Sequence, residues 1–160
     1  MPIYMKYGTI KGKVETEGYE HWTEIRSLQW SVDRTIGSAM GSSFDRQATH
    51  TGVSEITLTK EMDSASMHLI EDALGGKLDT EVDISLCTVG ADKKLTEILR
   101  YTLTDTGLSH YSFATNGDRP SETFVLNFTK VEITFTTLNV NLNGVPSITT
   151  YDLAKMTLNG

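Results

Sequence analysis

The residue types that most often carry chemistry, histidine and cysteine, are few in this chain and stand far apart. His21, His50, His68 and His110 include no two at the spacing of metal ligands. Cys87 is the only cysteine, so the chain can form no internal disulfide, and no thiol or histidine stands near it in the sequence to lower its pKa. We therefore expect a partly covered structural thiol and no cofactor or metal, although a zinc site assembled only in three dimensions stays open.

Carboxylates and hydroxyls also give no recognisable reaction centre. Asp79, Glu81 and Asp83 alternate along a predicted strand, which is typical of a solvated strand face. Acid–base catalysis needs buried carboxylates in unequal environments. Ser112 stands near His110 but lacks an orienting acid, and the sequence contains no nucleophile elbow and no phosphate-binding glycine loop. The sequence therefore favours a structural or binding protein over an enzyme.

Charge and hydropathy exclude further classes of protein. The 160 residues carry 14 basic and 21 acidic side chains, which gives a formal net charge of −7. Such a surface repels phosphate backbones, so nucleic-acid binding is disfavoured. No stretch approaches the ~20 apolar residues of a membrane helix, and residues 1–7 lack the regions of a secretory signal. We expect one domain over residues 1–160 that is made in the cytoplasm and does not insert into a membrane.

Short alternating strands run through the sequence almost from end to end. Connections between them are too short for helical crossovers, so antiparallel pairing is expected. A bulge near Ser27 and one extra residue at 129–130 keep the apolar residues on a common face. With roughly eight or nine strands, we predict a mainly β fold of two packed antiparallel sheets that form a barrel-like domain. The predicted strands include residues 3–7, 28–32, 56–58, 82–87, 99–103, 111–113, 123–135 and 148–158, with turns at 90–93, 104–107, 116–120 and 143–146.

One helix interrupts the strands, and we expect it at the side of the barrel. Asp63 or Ser64 is the predicted cap, and the helix should run to about Leu74. Gly75 and Gly76 follow at once and could supply a left-handed stop. The predicted core face of the helix consists of Met67, Ile70, Ala73 and Leu74.

Residues 37–51 break the strand pattern with the sequence GSAMGSSFDRQATHT, which is small, polar and without periodicity. The segment is too long for a tight hairpin and longer than most loops of compact domains. Loops of this length are usually functional or disordered, so the sequence leaves two interpretations, an extended functional arm and a disordered loop.

Four stretches of the chain, in order, resemble the haemolysin-coregulated protein (Hcp) family of type VI secretion. The first joins an opening strand to a turn that enters a tryptophan-containing strand, and the second is the Gly/Ser-rich arm. The third leads a strand into the helix, with Lys60, Asp63 and Ser66 placed much as in that family. The fourth passes through a proline loop into a strand. These stretches are residues 3–9 with 18–25, residues 37–52, residues 56–74 and residues 111–136.

The resemblance covers essentially all 160 residues and implies an assembly as well as a fold. Members of the family form hexameric rings that stack into a tube resembling a phage tail tube. A contracting sheath expels the tube, which carries a spike protein at its tip and effectors inside its rings. The resemblance therefore implies a structural, non-enzymatic protein secreted through the type VI apparatus. Its implied partners are copies of itself, the sheath, the spike-tip protein and effector proteins.

Within such a tube, the arm is predicted to be the element that stacks the rings. Stacked rings need a heterologous contact, with a protrusion on one face and a groove on the other. Phe44 could anchor this contact, with Asp45 and Arg46 as its polar rim. The predicted stacking residues are Ser38, Met40, Ser42, Ser43, Phe44, Asp45, Arg46 and Gln47.

A monomeric carbohydrate- or peptide-binding β module is the alternative function. In that case Tyr4, Tyr19 and Trp22 would be exposed and would stack on a ligand. This alternative predicts a monomer whose tryptophan fluorescence changes when a small ligand binds, whereas the tube protein predicts ring-sized particles.

Overall fold

The computed structural model of the chain is built mostly from strands, as the alternating sequence predicts. The residues that it describes are 1–37, 48–90, 93–138 and 144–160. Twelve strands and one helix are found in this part of the chain. They are β1 (Ile3–Tyr7), β2 (Thr23–Ile25), β3 (Ser27–Gln29), β4 (Val32–Ile36), β5 (Ala48–Val53), β6 (Ile56–Glu61), α1 (Ser66–Gly75), β7 (Thr80–Val89), β8 (Leu95–Ala114), β9 (Ser121–Asn127), β10 (Lys130–Leu138), β11 (Gly144–Asp152) and β12 (Thr157–Asn159).

Two antiparallel sheets contain most of these strands. The first sheet has the order β12-β11-β10-β8-β7-β1-β2, and the second has the order β3-β6-β9-β8. Strand β8 belongs to both sheets, while β4 and β5 form a separate two-stranded hairpin. The prediction of a mainly β, barrel-like fold of two packed antiparallel sheets with one helix is confirmed.

Strand β8 is twenty residues long and changes sheets where the sequence predicts a turn. Up to Thr104 it pairs with β10, and from Gly107 onward it pairs with β9. Asp105 has φ +50°, in the left-handed region, so the strand bends there. Gly107 lies against the exposed Leu78 side chain, which would have to move aside for a Cβ at this position. The predicted turn at 104–107 is wrong, because its polar and glycine residues mark a bend within one strand.

The predicted long strand over residues 123–135 consists of two strands in different sheets. Strand β9 pairs with β6 and β8, whereas β10 pairs with β8 and β11. Phe128 and Thr129 lie between them, and this corner changes the parity so that Leu126 and Val131 both face the core. Arg26 separates β2 from β3 in a similar way. The irregularities predicted near Ser27 and at 129–130 are therefore present, as corners between sheets.

The predicted last strand, residues 148–158, also consists of two strands. Strand β11 ends at Asp152, and Met156, with φ +54°, lies in the turn before β12. The predicted turn at 143–146 is wrong for Gly144 to Pro146, which lie in β11. Proline is tolerated there because β12 pairs only with residues 150–152, which leaves this part of β11 on an open edge.

Helix α1 begins at Ser66, slightly later than predicted, and Asp63 caps the turn that precedes it. The Ala65 N–H donates to the Asp63 Oδ1 atom at 2.9 Å. At the other end, Gly76 has φ −67° and is extended, so the predicted left-handed stop is wrong. Glycine is favoured at 76 for a different reason, because a Cβ would lie against the Asp72 carboxylate and 2.8 Å from the Asp72 Cα atom.

The buried face of α1 is offset from the predicted one. Leu69 is fully buried, whereas Met67 is 60% exposed and Leu74 is 83% exposed. Ile70 and Ala73 are half-buried. The apolar pattern alone misplaced the face, because the helix is oriented by polar contacts of its first turn, described below.

The hydrophobic core lies between the two sheets and is closed on one side by α1. Full burial of a large apolar side chain stabilises the fold by about 1.5–3 kcal/mol. Both sheets contribute their inward positions, and the helix contributes Leu69. The fully buried apolar residues include Met5, Ile56, Leu58, Val82, Ile84, Leu103, Phe124, Leu126 and Val131.

Candidate assembly surface

The hairpin of β4 and β5 stands apart from the two sheets. Its register pairs Val32 with Val53 and Arg34 with Thr51. All five residues of β4 are exposed, among them Val32 and Ile36, each about half exposed. An isolated two-stranded hairpin is marginally stable in water, so this one is suited to gain stability from a partner.

The predicted arm, residues 37–51, overlaps this hairpin, because residues 48–51 lie in strand β5 rather than in an irregular segment. Strand β4 ends at Ile36, Gly37 is the last described residue after it, and β5 begins at Ala48. Residues 37–47 join the two strands, and of these only Gly37 is among the described residues. The predicted stacking residues Ser38, Met40, Ser42, Ser43, Phe44, Asp45, Arg46 and Gln47 all lie outside the described residues.

An apolar groove of about 740 Å³ lies where the hairpin meets the outer strands of the first sheet. Trp30 and Val32 line one side, and Ile133 and Tyr151 line the other. Among the described lining residues, Arg34 alone carries a charge. The lining residues are Trp30, Val32, Arg34, Thr51, Val53, Val131, Ile133, Thr149, Tyr151, Met156 and Leu158.

Trp30 is only half-buried, although the sequence places it among the apolar residues of a strand. Its ring meets Tyr101 edge-on, with 5.7 Å between ring centroids. The Trp30 Nε1 atom is buried and has no hydrogen-bond partner among the described residues. A buried donor without a partner costs free energy.

A buried ion cluster fixes α1 to the second sheet. Lys60 is fully buried, and its Nζ donates to Glu122 Oε2 at 2.5 Å, to Asp63 Oδ1 at 2.9 Å and to Ser66 Oγ at 3.0 Å. The hydroxyls of Ser66 and Tyr111 donate to Glu122. Burial raises the pKa of Tyr111, and its hydrogen bond to Glu122 raises it further. These contacts orient the first turn of α1, so Ser66 and Leu69 face inward.

Three of the five residues of this cluster stand in the motifs that carry the family resemblance. Lys60, Asp63 and Ser66 were singled out by the family resemblance, but their partners Glu122 and Tyr111 were not. Strand parity was a signal that could have found Glu122. Lys60 stands at an inward position of β6 and Glu122 at the paired inward position of β9, and two opposite charges at paired core positions indicate a buried ion pair.

A second polar network lies on the other face of the first sheet. The ring centroids of Tyr4 and Tyr19 are 5.0 Å apart, and Tyr19 meets Trp22 edge-on, also at 5.0 Å. The Cys87 thiol donates to the Tyr19 hydroxyl at 3.3 Å, and this hydroxyl donates to Glu97 at 3.1 Å. Burial raises the pKa of the Cys87 thiol and that of Tyr19. A protonated, hydrogen-bonded thiol of this kind is a structural residue.

Two expectations about these residues are wrong. Tyr4 and Tyr19 are 8% and 9% exposed, so they do not form the exposed stacking platform that a ligand-binding module would need. They are covered because they pack on each other and on Trp22. Cys87 is fully buried rather than partly covered, because the segment that carries Tyr19 lies over it.

The remaining candidate residues do not form a reaction centre among the described residues. Asp83 accepts a hydrogen bond from the Thr102 hydroxyl at 2.8 Å, and His110 and Ser112 are exposed on β8. Within the described ranges, no three His, Cys, Asp or Glu side chains come together as a metal site. In the same part of the chain, no helix combines the length and the apolarity needed to span a bilayer.

Comparison with known proteins identifies the fold and the family. A family model described as "Type VI secretion system effector, Hcp" matches residues 4–135. A solved structure described as a type six secretion system protein has 20% identity and a TM-score of 0.88, and 99% of each chain is covered. Hcp1 from Salmonella typhimurium has 20% identity and a TM-score of 0.77, with 99% of this chain and 98% of that chain covered. The secreted protein Hcp3 from Pseudomonas aeruginosa has 17% identity and a TM-score of 0.62, with 91% of this chain and 98% of that chain covered.

By sequence, no curated protein matches the chain significantly. The likeness to solved structures, at these low identities, establishes the fold of two packed sheets with a lateral helix. The family match extends from β1 into β10 and establishes the family. The chain belongs to the Hcp family of the type VI secretion system, as the resemblance predicts. It is therefore a structural protein of the secretion tube.

Proposed function

We propose that the chain forms hexameric rings that stack into a tube and that a contracting sheath expels this tube from the cell. The rings carry effector proteins in their lumen, and a spike-tip protein sits at the end of the tube. Residues 1–160 act as one domain in each subunit of the ring. Family membership identifies the class of protein, and ring formation, stacking and transport of effectors are the roles proposed for this chain.

The observation that carries the proposal is the apolar surface that the chain leaves uncovered beside the hairpin. Exposed side chains there include Val32 on the hairpin and Met156 and Leu158 near the edge of the first sheet, the last two being more than 60% exposed. Large exposed apolar patches on a soluble protein mark interaction sites. Self-assembly would cover this surface, and the rest of the chain carries the charge that keeps free subunits in solution.

The proposed stacking element is the arm at residues 37–51. The described residues on either side of it belong to the hairpin, in which every residue of β4 is exposed and β4 pairs with β5. A second ring would supply further support for this hairpin. Stacking through an arm on one face of the ring and a complementary surface on the opposite face is a heterologous contact, which repeats without limit and generates a tube.

Electron microscopy of the purified chain tests the proposal. Negative-stain images should contain rings of uniform diameter, and light scattering should give the mass of about six subunits, since closed cyclic oligomers have one defined size. Raising the protein concentration should lengthen stacks of rings. A chain that stays monomeric at high protein concentration, at both low and high salt, would refute the proposed function.

A further inference from the structure

We propose that α1 of one subunit docks into the apolar groove of the neighbouring subunit and that this contact joins the subunits of a ring. The inference rests on the proposed function, because it names the two surfaces that would build the ring. It concerns the lateral contact within one ring, whereas the arm at residues 37–51 is proposed to join one ring to the next.

The exposed side of α1 carries a short apolar stripe with one acidic residue in it. Met67, Glu71 and Leu74 are spaced i, i+4 and i+7, so they lie on one face of the helix. Met67 is 60% exposed and Leu74 is 83% exposed. The Glu71 side chain is 69% exposed, and its contact with His68, at 3.4 Å, is also exposed. The helix therefore presents a convex apolar surface with a negative charge at its centre.

The groove has the complementary shape and charge. It is concave, its walls are aromatic and aliphatic, and among its described lining residues the single charge is the positive one of Arg34. A helix of ten residues is about 15 Å long, so one face of α1 offers two apolar side chains and one carboxylate to a cavity of about 740 Å³. Glu71 of one subunit would then pair with Arg34 of the next, which fixes the register of the contact.

The exposed face of α1 and the apolar groove are different parts of the molecule, so their contact can link subunits head to tail. No residue of α1 lines the groove, so the contact joins two unlike surfaces of identical chains. Such a heterologous contact leaves a free groove at one end and a free helix at the other, and it closes into a ring when the rotation per subunit allows.

Opposite charge changes on the two surfaces test this contact in the full-length chain. Arg34→Glu should place two carboxylates against each other, and Glu71→Arg should place two guanidinium groups against each other. Each single variant should raise the protein concentration at half-assembly on the order of tenfold or more, measured by sedimentation. Lys11→Glu and Glu17→Arg make the same charge changes at exposed residues outside both surfaces, and they should assemble like the unmodified chain.

Mixing the two defective variants is the decisive measurement. In an equimolar mixture, the groove of the Arg34→Glu variant meets the helix of the Glu71→Arg variant, and the unmodified groove of the second meets the unmodified helix of the first. Rings of alternating subunits should therefore form at a protein concentration at which neither variant assembles alone. The double variant should also recover assembly. Recovery by mixing shows in addition that each variant is folded.

A third variant keeps the test independent of charge. Leu74→Ser removes the most exposed apolar side chain of the stripe, so it should weaken assembly without changing the thermal unfolding transition. Val89→Ser, at a residue that is 58% exposed and outside both surfaces, should assemble normally. If the unmodified chain forms rings and these variants, alone and mixed, behave like their controls, the helix–groove contact is wrong and the proposed function stands. If the unmodified chain stays monomeric, both are wrong.

Discussion

At the scale of single residues, the buried ion cluster has an unequal charge balance. One lysine, Lys60, faces two carboxylates, Asp63 and Glu122, which gives the cluster a formal charge of −1. Hydroxyl donors from Ser66 and Tyr111 help to stabilise this excess negative charge. Loss of the lysine would leave two unpaired buried anions, whereas neutralisation of one carboxylate would leave a complete ion pair.

Lys60→Met is therefore expected to lower the free energy of unfolding by about 3–5 kcal/mol. Glu122→Gln should cost clearly less, because Lys60 keeps its contact with Asp63 and the amide can still accept hydrogen bonds from its neighbours. Urea unfolding of the two variants measures the difference. Arg26→Met is a matched control, since its ion pair with Glu61 is exposed and such pairs contribute about 0–1 kcal/mol. Equal losses for Lys60→Met and the control would contradict the role of the cluster.

At the scale of secondary-structure elements, the sequence predicts the strands better than their connections. The polar and glycine residues at 104–107 indicate a change in chain direction, and the chain does bend there. Whether a bend reverses the chain depends on which strands lie on each side, and this information is distributed over β7, β9 and β10. The same ambiguity applies to the corner between β9 and β10.

The helix shows a second limit of sequence patterns. Apolar periodicity placed Met67 and Leu74 on the core face, but the structure exposes both. The face is determined by Ser66, whose hydroxyl joins the buried ion cluster, and a serine gives no hydrophobic signal. Surfaces that bind another subunit are also apolar, so a helix with a core face and an assembly face cannot be oriented by hydrophobicity alone.

The arm can be tested as an element without disturbing the two sheets. Ile36 and Ala48 are paired across the hairpin, so replacing residues 37–47 by Asn-Gly should close it with a two-residue turn, a common hairpin conformation. We expect the thermal transition to shift little, because the segment leaves the described core intact. The single rings should persist, while stacks of rings become at least about tenfold rarer in electron micrographs.

Phe44→Ala is the corresponding point variant. It should also make stacks of rings rarer, but by a smaller factor than the shortened variant does. A loss of the cooperative thermal transition in the shortened variant would mean that the arm supports the fold of the subunit. Normal stacking in the shortened variant would mean that another segment joins the rings.

At the scale of the whole molecule, the fold class was predictable and the assembly surfaces were not. Strand alternation and short connections are local features, and they predict two antiparallel sheets. The groove, in contrast, is lined by side chains from the hairpin and from β10, β11 and the segment around Met156 and Leu158. These residues are far apart in the sequence, and their proximity follows only from the order of the strands in the sheet.

The stability of the whole molecule should fall at alkaline pH. Burial raises the pKa of Cys87, and burial together with hydrogen bonding raises the pKa of Tyr7, Tyr19 and Tyr111. In the unfolded chain these groups ionise near about pH 8.5 for cysteine and about pH 10 for tyrosine. Because the folded state holds these protons more tightly, their contribution is complete below the unfolded pKa values and is lost as the pH rises toward the folded ones.

The urea midpoint should accordingly begin to fall near about pH 8.5 and fall more steeply above about pH 10. Cys87→Ala should remove the first part of the decrease and keep the second, which separates the thiol from the tyrosines. Ultraviolet absorbance of ionised tyrosine, followed through the same transition, should rise mainly as the chain unfolds. A midpoint that stays constant above about pH 10 would contradict the buried, protonated state of the tyrosines.

The passage of β8 through both sheets couples their formation during folding. Neither sheet is complete until this one strand of twenty residues has found β7, β9 and β10. Chain entropy must be given up for these distant pairings before burial compensates for it, so folding should be cooperative and slow, on a scale of about milliseconds to seconds. A chain in which β8 has been placed in one sheet alone exposes a long open strand edge to its neighbours, and aggregation then competes with correct subunit formation during synthesis.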